Sequence, residues 1–239
     1  MTKLNKAMPT TKPADVMRSW SYSRLTDFES CAYKAYLKHV ARVPDPSPRP
    51  AADRGTAIHL EAELFVKGEG PFTDNLKHFK NDFFALKDHY KSGRVSLEGE
   101  WGFNDKWEPC DYKTAWGRIK ADAVVMLTPK HASVIDFKTG RKFGNEIKHA
   151  EQTQLYSLAT AIRNPQVQEV TAELWYLDQD DLTSSTMSRG QIVTKLLKYY
   201  DTRMRRMVNA TRWPANPNVI SCKYCPYGPS GTGHCKVGV

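Results

Sequence analysis

The chain has 239 residues, 40% of them apolar and 26% charged, with 35 Lys and Arg against 26 Asp and Glu for a formal net charge of +9. This length buries one sizeable core, and a single α/β unit is the simplest domain count. No apolar run approaches a membrane span and no signal-like h-region opens the chain, so a membrane role is excluded and the cytoplasm of a bacterial or virus-infected cell is expected, while the positive charge favours a polyanionic partner.

Residues 1–19 lack periodicity and are expected to form a flexible tail. Leu25, Phe28, Ala32, Tyr36 and Val40 make one stripe, which predicts a helix over 24–40 with Ser23 as N-cap. Pro44, Pro46, Pro48 and Pro50 form an extended linker. The next helix is expected to begin near Arg54. It carries His59 and Glu63 on one face, and Gly55 permits its close approach to a neighbour. Leu76, Phe79, Phe83, Leu86 and Tyr90 predict a core-facing helix. Val95, Leu97, Gly99, Trp101 and Phe103 alternate as a strand, with Glu100 on the opposite face, expected to be solvated.

Ile119, Ala121, Ala123, Val125 and Leu127 alternate on a second strand, leaving Asp122 on the other face beside Val124 and Met126. Val134 to Gly140 reads as a third strand closed by a Thr-Gly turn. Asp136 and Lys138 project from one side of it, Ile135 and Phe137 from the other. Ile147, Leu155, Leu158 and Ile162 mark a helix whose other face carries Gln152 and Tyr156. Thr171 to Asp178 reads as a strand. Gln191 to Val208 reads as a helix with Lys195, Lys198, Arg203, Arg205 and Arg206 as a candidate phosphate-tracking surface.

Acid-x-Lys triplets are common and occur here as Asp111-Tyr112-Lys113, Asp136-Phe137-Lys138 and Glu146-Ile147-Lys148. Only Asp136 sits on an apolar strand. An acid there is costly to bury without a partner, and two carboxylates on successive strands favour a cation between them. With His59 and Lys138 added, the set can hold a divalent ion, activate a water and stabilise a phosphate.

The ordered set of Gly55-x-x-x-His59, Asp122, Asp136-x-Lys138 and Gln152-x-x-x-Tyr156 resembles the PD-(D/E)XK nuclease superfamily, in particular its RecB-like exonuclease branch. Tyr22 to Tyr36 is similar to that branch's first helix, although Ala32 stands where relatives usually have proline. The resemblance covers about residues 20 to 237 and implies a mixed central β-sheet flanked by helices, a restriction-endonuclease-like core. It further implies Mg2+ or Mn2+ held by His59, Asp122, Asp136 and the Phe137 carbonyl, with Lys138 at the scissile phosphate and Gln152 and Tyr156 positioning DNA or bracing Lys138.

Cys222-x-x-Cys225 followed by Cys235 has metal-binding spacing, and in a cytosolic protein disulfides are disfavoured. His234 leaves open a zinc site of three thiolates and an imidazole. The resemblance implies instead a 4Fe–4S cluster on Cys31, Cys222, Cys225 and Cys235 that clips the chain ends together, leaving Cys110 as a plain thiol. The expected domains are the tail 1–19 and a single nuclease domain 20–239, with a helical part 20–90, a core 94–178 and a C-terminal helix and cysteine segment 186–239. The expected activity is metal-dependent cleavage of DNA, chiefly exonuclease action on single-stranded ends in recombination, repair or replication. A helicase or recombination protein is the expected partner class, since no Walker A motif marks a motor within the chain. A structure-selective endonuclease and a non-catalytic DNA-binding module are the alternatives.

Overall fold

The computed structural model describes residues 16–239. Of the expected tail 1–19, residues 1–15 lie outside the described residues, while Met17 and Ser19 are buried. The chain divides into two compact units, Arg49–Tyr200 and the paired chain ends Met1–Pro48 with Asp201–Val239.

The unit Arg49–Tyr200 is built on a six-stranded mixed sheet of order β2-β1-β3-β4-β5-β6. Its strands are β1 (Val95–Phe103), β2 (Pro109–Cys110), β3 (Gly117–Thr128), β4 (His131–Lys138), β5 (Glu169–Tyr176) and β6 (Asp181–Ser188). Every neighbouring pair is antiparallel except β4 and β5. A parallel pair needs a crossover, and the helix Glu146–Arg163 supplies it.

The odd-numbered residues of the central strands face one helical layer. Ala123, Val125, Ile135, Phe137 and Trp175 pack with Ile58, Ala62, Phe65, Phe79, Phe83 and Leu86. The helix residues come from Pro50–Lys67, from the 3₁₀ turn Asp74–Phe79 and from Lys80–Lys91. Phe83 sits at 5.3 Å from both Phe137 and Trp175, ring centre to ring centre, so aromatic packing fixes β4 and β5 from this side. The crossover helix packs against β3, β4 and β5. Its histidine His149 bonds Tyr176 of β5 (3.0 Å), which places the helix on the even-numbered face. Asp122, Asp136 and Lys138 belong to that face. Both faces of β3 are buried from Ala121 to Val125, as befits a central strand.

In the other unit the predicted helix 24–40 is interrupted. The first helix runs Tyr22–Ser30 with Ser21, not Ser23, as its N-cap, and the Ser21 hydroxyl accepts from the Arg24 N–H (3.3 Å). Cys31 is fully extended (φ −162°, ψ 108°), and helix resumes at Ala32–Ala35 before a wide π turn Tyr36–Val40. The C-terminal segment packs on this hairpin-like entry. Trp213 is buried with its ring 5.7 Å from Phe28, and the Tyr33 N–H donates to the Pro214 carbonyl (3.2 Å).

Asp27 staples the two halves of that broken helix. It takes Lys38 Nζ at 2.9 Å, His39 Nε2 at 2.8 Å and Lys34 Nζ at 3.0 Å. Burial acts to raise its pKa, but His39, Lys38 and Lys34 outweigh burial and hold the carboxyl well below the usual range. A carboxylate with a depressed folded pKa stabilises above its unfolded pKa and loses that contribution as pH falls. Asp27→Ala is therefore expected to destabilise at neutral pH by about 2 kcal/mol, since it strands partly buried cations. The gap between the two urea midpoints should narrow steadily below about pH 4, where the unfolded carboxylate also takes its proton. An unchanged gap down to pH 2 would show that Asp27 acts only by packing.

Candidate active site

The site grows from the register of three strands. β1 pairs β3 through Leu97↔Ala123 and Gly99↔Ala121, so the position between them sets Glu98 opposite Asp122. β3 pairs β4 through Ala123↔Ile135 and Val124↔Val134. Continuing that register sets Asp122 opposite Asp136. Directly opposed residues share a face, so Glu98, Asp122 and Asp136 form one row across three strands.

The β3–β4 ladder stops at this row. The Phe137 N–H, next along β4, donates to Asp122 Oδ2 (2.7 Å). The Asp122 side chain thus satisfies a backbone donor that would otherwise be buried without a partner. Its other oxygen faces His59 Nδ1 at 3.3 Å. His59 is delivered by the helix Pro50–Lys67, anchored at its start by a two-point bond from Arg54 to Asp178 (2.9 and 2.8 Å). A Cβ on Gly55 would meet the Thr139 hydroxyl at 2.9 Å, so the missing side chain lets the helix close on the end of β4.

Asp136 is buried, with a side chain only 3% exposed. Its Oδ2 has no hydrogen-bond partner. The Lys138 ammonium lies against that oxygen as an ion contact, without hydrogen-bond alignment. Lys138 instead donates to Gln152 Oε1 (2.9 Å), and Gln152 Nε2 donates to the Tyr156 hydroxyl (2.7 Å). The spacing of four between Gln152 and Tyr156 puts both on one side of the crossover helix, so the three groups form a relay that holds the lysine head.

The electrostatics are those of a cation site. Burial first, and Asp122 second, push the Asp136 carboxyl up to about 7. Burial opposes charge on His59, but Asp122, then Asp136 and Glu98, outweigh it and raise the imidazole pKa. Burial and then the Asp136 and Asp122 charges keep the Tyr156 hydroxyl protonated. Two neighbouring carboxylates, one of them buried, with an imidazole beside them are a donor set that fits a divalent ion. Ligand atoms of His59, Glu98 and Asp122 lie within 4.8 Å of one another.

Glu98 was not among the residues picked from sequence, and Glu100 was expected to be solvated. Glu100 is exposed. Glu98 has φ +47°, rare for a residue with a side chain, and pairs with Lys120 Nζ at 2.6 Å. The register opposite Asp122, not any local pattern, is what distinguishes it.

The basic positions divide. Lys195 and Lys198 are exposed. Arg203 makes two bonds to Glu29 (2.9 and 2.6 Å), Arg205 pairs with Asp201 (2.8 Å), and Arg206 lies over the Phe28 ring (5.7 Å). Arg203 therefore ties the helix Leu197–Val208 to the first helix.

All five cysteines are free thiols. Cys31, Cys222, Cys225 and Cys235 belong to the unit made by the chain ends, and Cys110 to the other. The Cys31 sulfur accepts from the Asn216 N–H (3.4 Å), and the Tyr33 hydroxyl lies 3.5 Å from the His234 carbonyl, beside Cys235. Among the described residues no three of these sulfurs lie within 4.8 Å of one another.

No helix among the described residues is long and apolar enough to cross a membrane. Among curated proteins none matches the chain. Solved structures with similarity to it include SSO0001, at 15% identity over 93% of this chain and 87% of that one, with a TM-score of 0.48. An alkaline exonuclease from Laribacter hongkongensis is 13% identical over 82% and 88%, with a TM-score of 0.32. A phage-related exonuclease from Haemophilus somnus 129PT is 10% identical over 80% and 93%, also at 0.32. The sequence model of one family matches residues 19–230, nearly the whole chain, and on that match the chain belongs to the PD-(D/E)XK nuclease superfamily.

Proposed function

We propose that this chain is a metal-dependent deoxyribonuclease that degrades DNA from free single-stranded ends. The observation that carries the reading is the row of Asp122 and Asp136, with Lys138 Nζ in ion contact with the buried Asp136 Oδ2 and the Phe137 N–H bonded to Asp122 Oδ2. In that centre His59, Asp122, Asp136 and the Phe137 carbonyl would hold Mg2+ or Mn2+, and the chemistry such an ion would supply is charge neutralisation at the scissile phosphate and a more acidic water. Lys138, steadied by Gln152 and Tyr156, keeps an ammonium at the place where negative charge develops as water adds to phosphorus and the ester P–O bond breaks. The departing oxygen takes up the proton that the water gives up. The neutral Tyr156 hydroxyl adds no charge of its own to this balance.

In the same reading Cys31, Cys222, Cys225 and Cys235 bind a 4Fe–4S cluster. Support comes from four free thiols in one unit and from the break in the first helix at Cys31, which takes that residue out of helical geometry. A single zinc would hold its thiolates about 3.8 Å apart at tetrahedral Zn–S lengths. The exposed Lys195 would meet phosphates, an electrostatic contact that weakens steeply with salt.

End-labelled linear single-stranded DNA and the same sequence as a closed circle, with Mn2+, separate the modes of action. The linear form is expected to disappear progressively while the circle survives. Equal rates on both would make the protein an endonuclease.

A further inference from the structure

Resting on the reading of the centre as a deoxyribonuclease, we infer that Phe143 stacks on an unpaired base of the strand being cut and so favours single strands over duplex. Phe143 is 83% exposed and Ile147 81%, the two most exposed large apolar side chains among the described residues. Both lie on the segment that joins Lys138, at the end of β4, to its partner Gln152 on the crossover helix. That segment is tied to Tyr176 on both sides of Phe143. Lys142 Nζ lies 5.3 Å from the centre of the Tyr176 ring, and His149 Nδ1 lies 3.0 Å from its hydroxyl. Tyr176 is the register partner of Lys138, so Phe143 stands at the rim of the row that carries Asp136 and Lys138. Burial first, and the Lys138 charge second, push the His149 pKa down to about 4, which again sets this stretch beside the lysine.

The ring is held in water by a bonded turn. The Asn145 N–H donates to the Lys142 carbonyl (3.0 Å), the Gly144 N–H donates to the Glu146 carboxylate (2.7 Å), and Gly144 supplies the left-handed φ of +85°. Lys142 Nζ is fixed by Asp181 at 2.7 Å. A ring already ordered in this way loses little further freedom when it is covered. The surrounding charge points to what covers it. Arg141 and Lys148 are exposed, and Glu146, the one acid between Arg141 and His149, has its carboxylate on the Gly144 N–H. An aromatic among cations suits single-stranded nucleic acid, which offers phosphates and flat apolar base faces together. Two apolar side chains fall far short of the roughly 800 Å² that a partner protein covers in a stable interface. In duplex DNA each interior base is already stacked on both faces, so Phe143 gains its contact only on an unpaired base.

The test measures binding in chelator, where nothing is cut, to a single-stranded oligonucleotide, to its duplex, and to the same single strand with one abasic site moved along it. Melting curves check that each variant is folded, which loss of an exposed ring should not disturb. Phe143→Ala is expected to raise the single-strand Kd roughly tenfold and to leave the duplex Kd unchanged, and Phe143→Trp to keep the wild-type preference. One abasic position should cost wild type the same factor and cost Phe143→Ala nothing, because that base and the ring are each other's partner. Equal single-strand affinity in wild type and folded Phe143→Ala, or additive losses at every abasic position, would overturn the inference and leave the cutting centre standing. Self-association lost in Phe143→Ala, read by sedimentation, with DNA binding unchanged would make this face a protein contact instead. Wild type that binds no single strand in chelator and cuts none with Mn2+ would overturn both this inference and the deoxyribonuclease reading.

Discussion

Asp136→Asn is expected to abolish cleavage and at the same time to raise the melting temperature of the metal-free protein. The carboxyl is buried, and burial together with Asp122 lifts its pKa to about 7. The sign follows from proton linkage. A carboxyl whose folded pKa lies above its unfolded value of 3.8 is favourable while protonated, and its contribution is lost as pH rises from about 4 through about 7. The amide removes this penalty, so the variant should gain on wild type across that window, at about 2–4 °C for each ~1 kcal/mol in a chain of this size. Cleavage should fall roughly thousandfold or more, because the amide is a poor ligand for a hard cation. Added Mn2+ should then stabilise wild type more than the variant. Active sites commonly hold such unfavourable charge because the ligand resolves it. A variant that melts lower than wild type at pH 7 without metal would show that Asp136 serves the fold.

The second large effect concerns the chain ends. Protein purified without oxygen is expected to be brown and to hold about four irons. Cys31→Ser, Cys222→Ser, Cys225→Ser and Cys235→Ser should each bleach it and cost roughly 3–5 kcal/mol, because the proposed cluster would close a very long loop. Cys110→Ser, in the other unit, should do neither. Colourless protein with one stoichiometric zinc would move the assignment to three thiolates with His234, whose Nδ1 now bonds the Thr232 hydroxyl (2.8 Å).

Much of the sheet and of the row on β3 and β4 is legible in sequence, since strands buried on one face write period-two alternation and an acid within such a run stands out. β1 spans Val95–Phe103, where the alternation placed it. β6 went unread because its residues Asp181–Ser188 are mostly polar and exposed, so backbone pairing to β5 is what makes it a strand. The break at Cys31 is hidden because Leu25, Phe28, Ala32 and Tyr36 keep helical spacing across it. Glu98 stayed hidden for a different reason. Between Leu97 and Gly99 it looks like a solvent-facing position, and its value depends on a register with Asp122 that no local pattern carries. Arg203 read as a candidate for phosphate, yet its partner Glu29 lies 174 residues away. Helical periodicity shows which face is polar but not which of its charges the fold itself has taken.

The central claim is that the row around Asp122 and Asp136 cuts DNA with a divalent ion. The direct measurement is release of nucleotides from end-labelled linear single-stranded DNA by wild type, Asp136→Asn and Lys138→Ala, each with Mn2+, with Mg2+ and with chelator. Wild type should release nucleotides with either ion and none with chelator, and the two folded variants should release none under any condition. Release by wild type in chelator, or wild-type rates from either variant, would contradict the assignment.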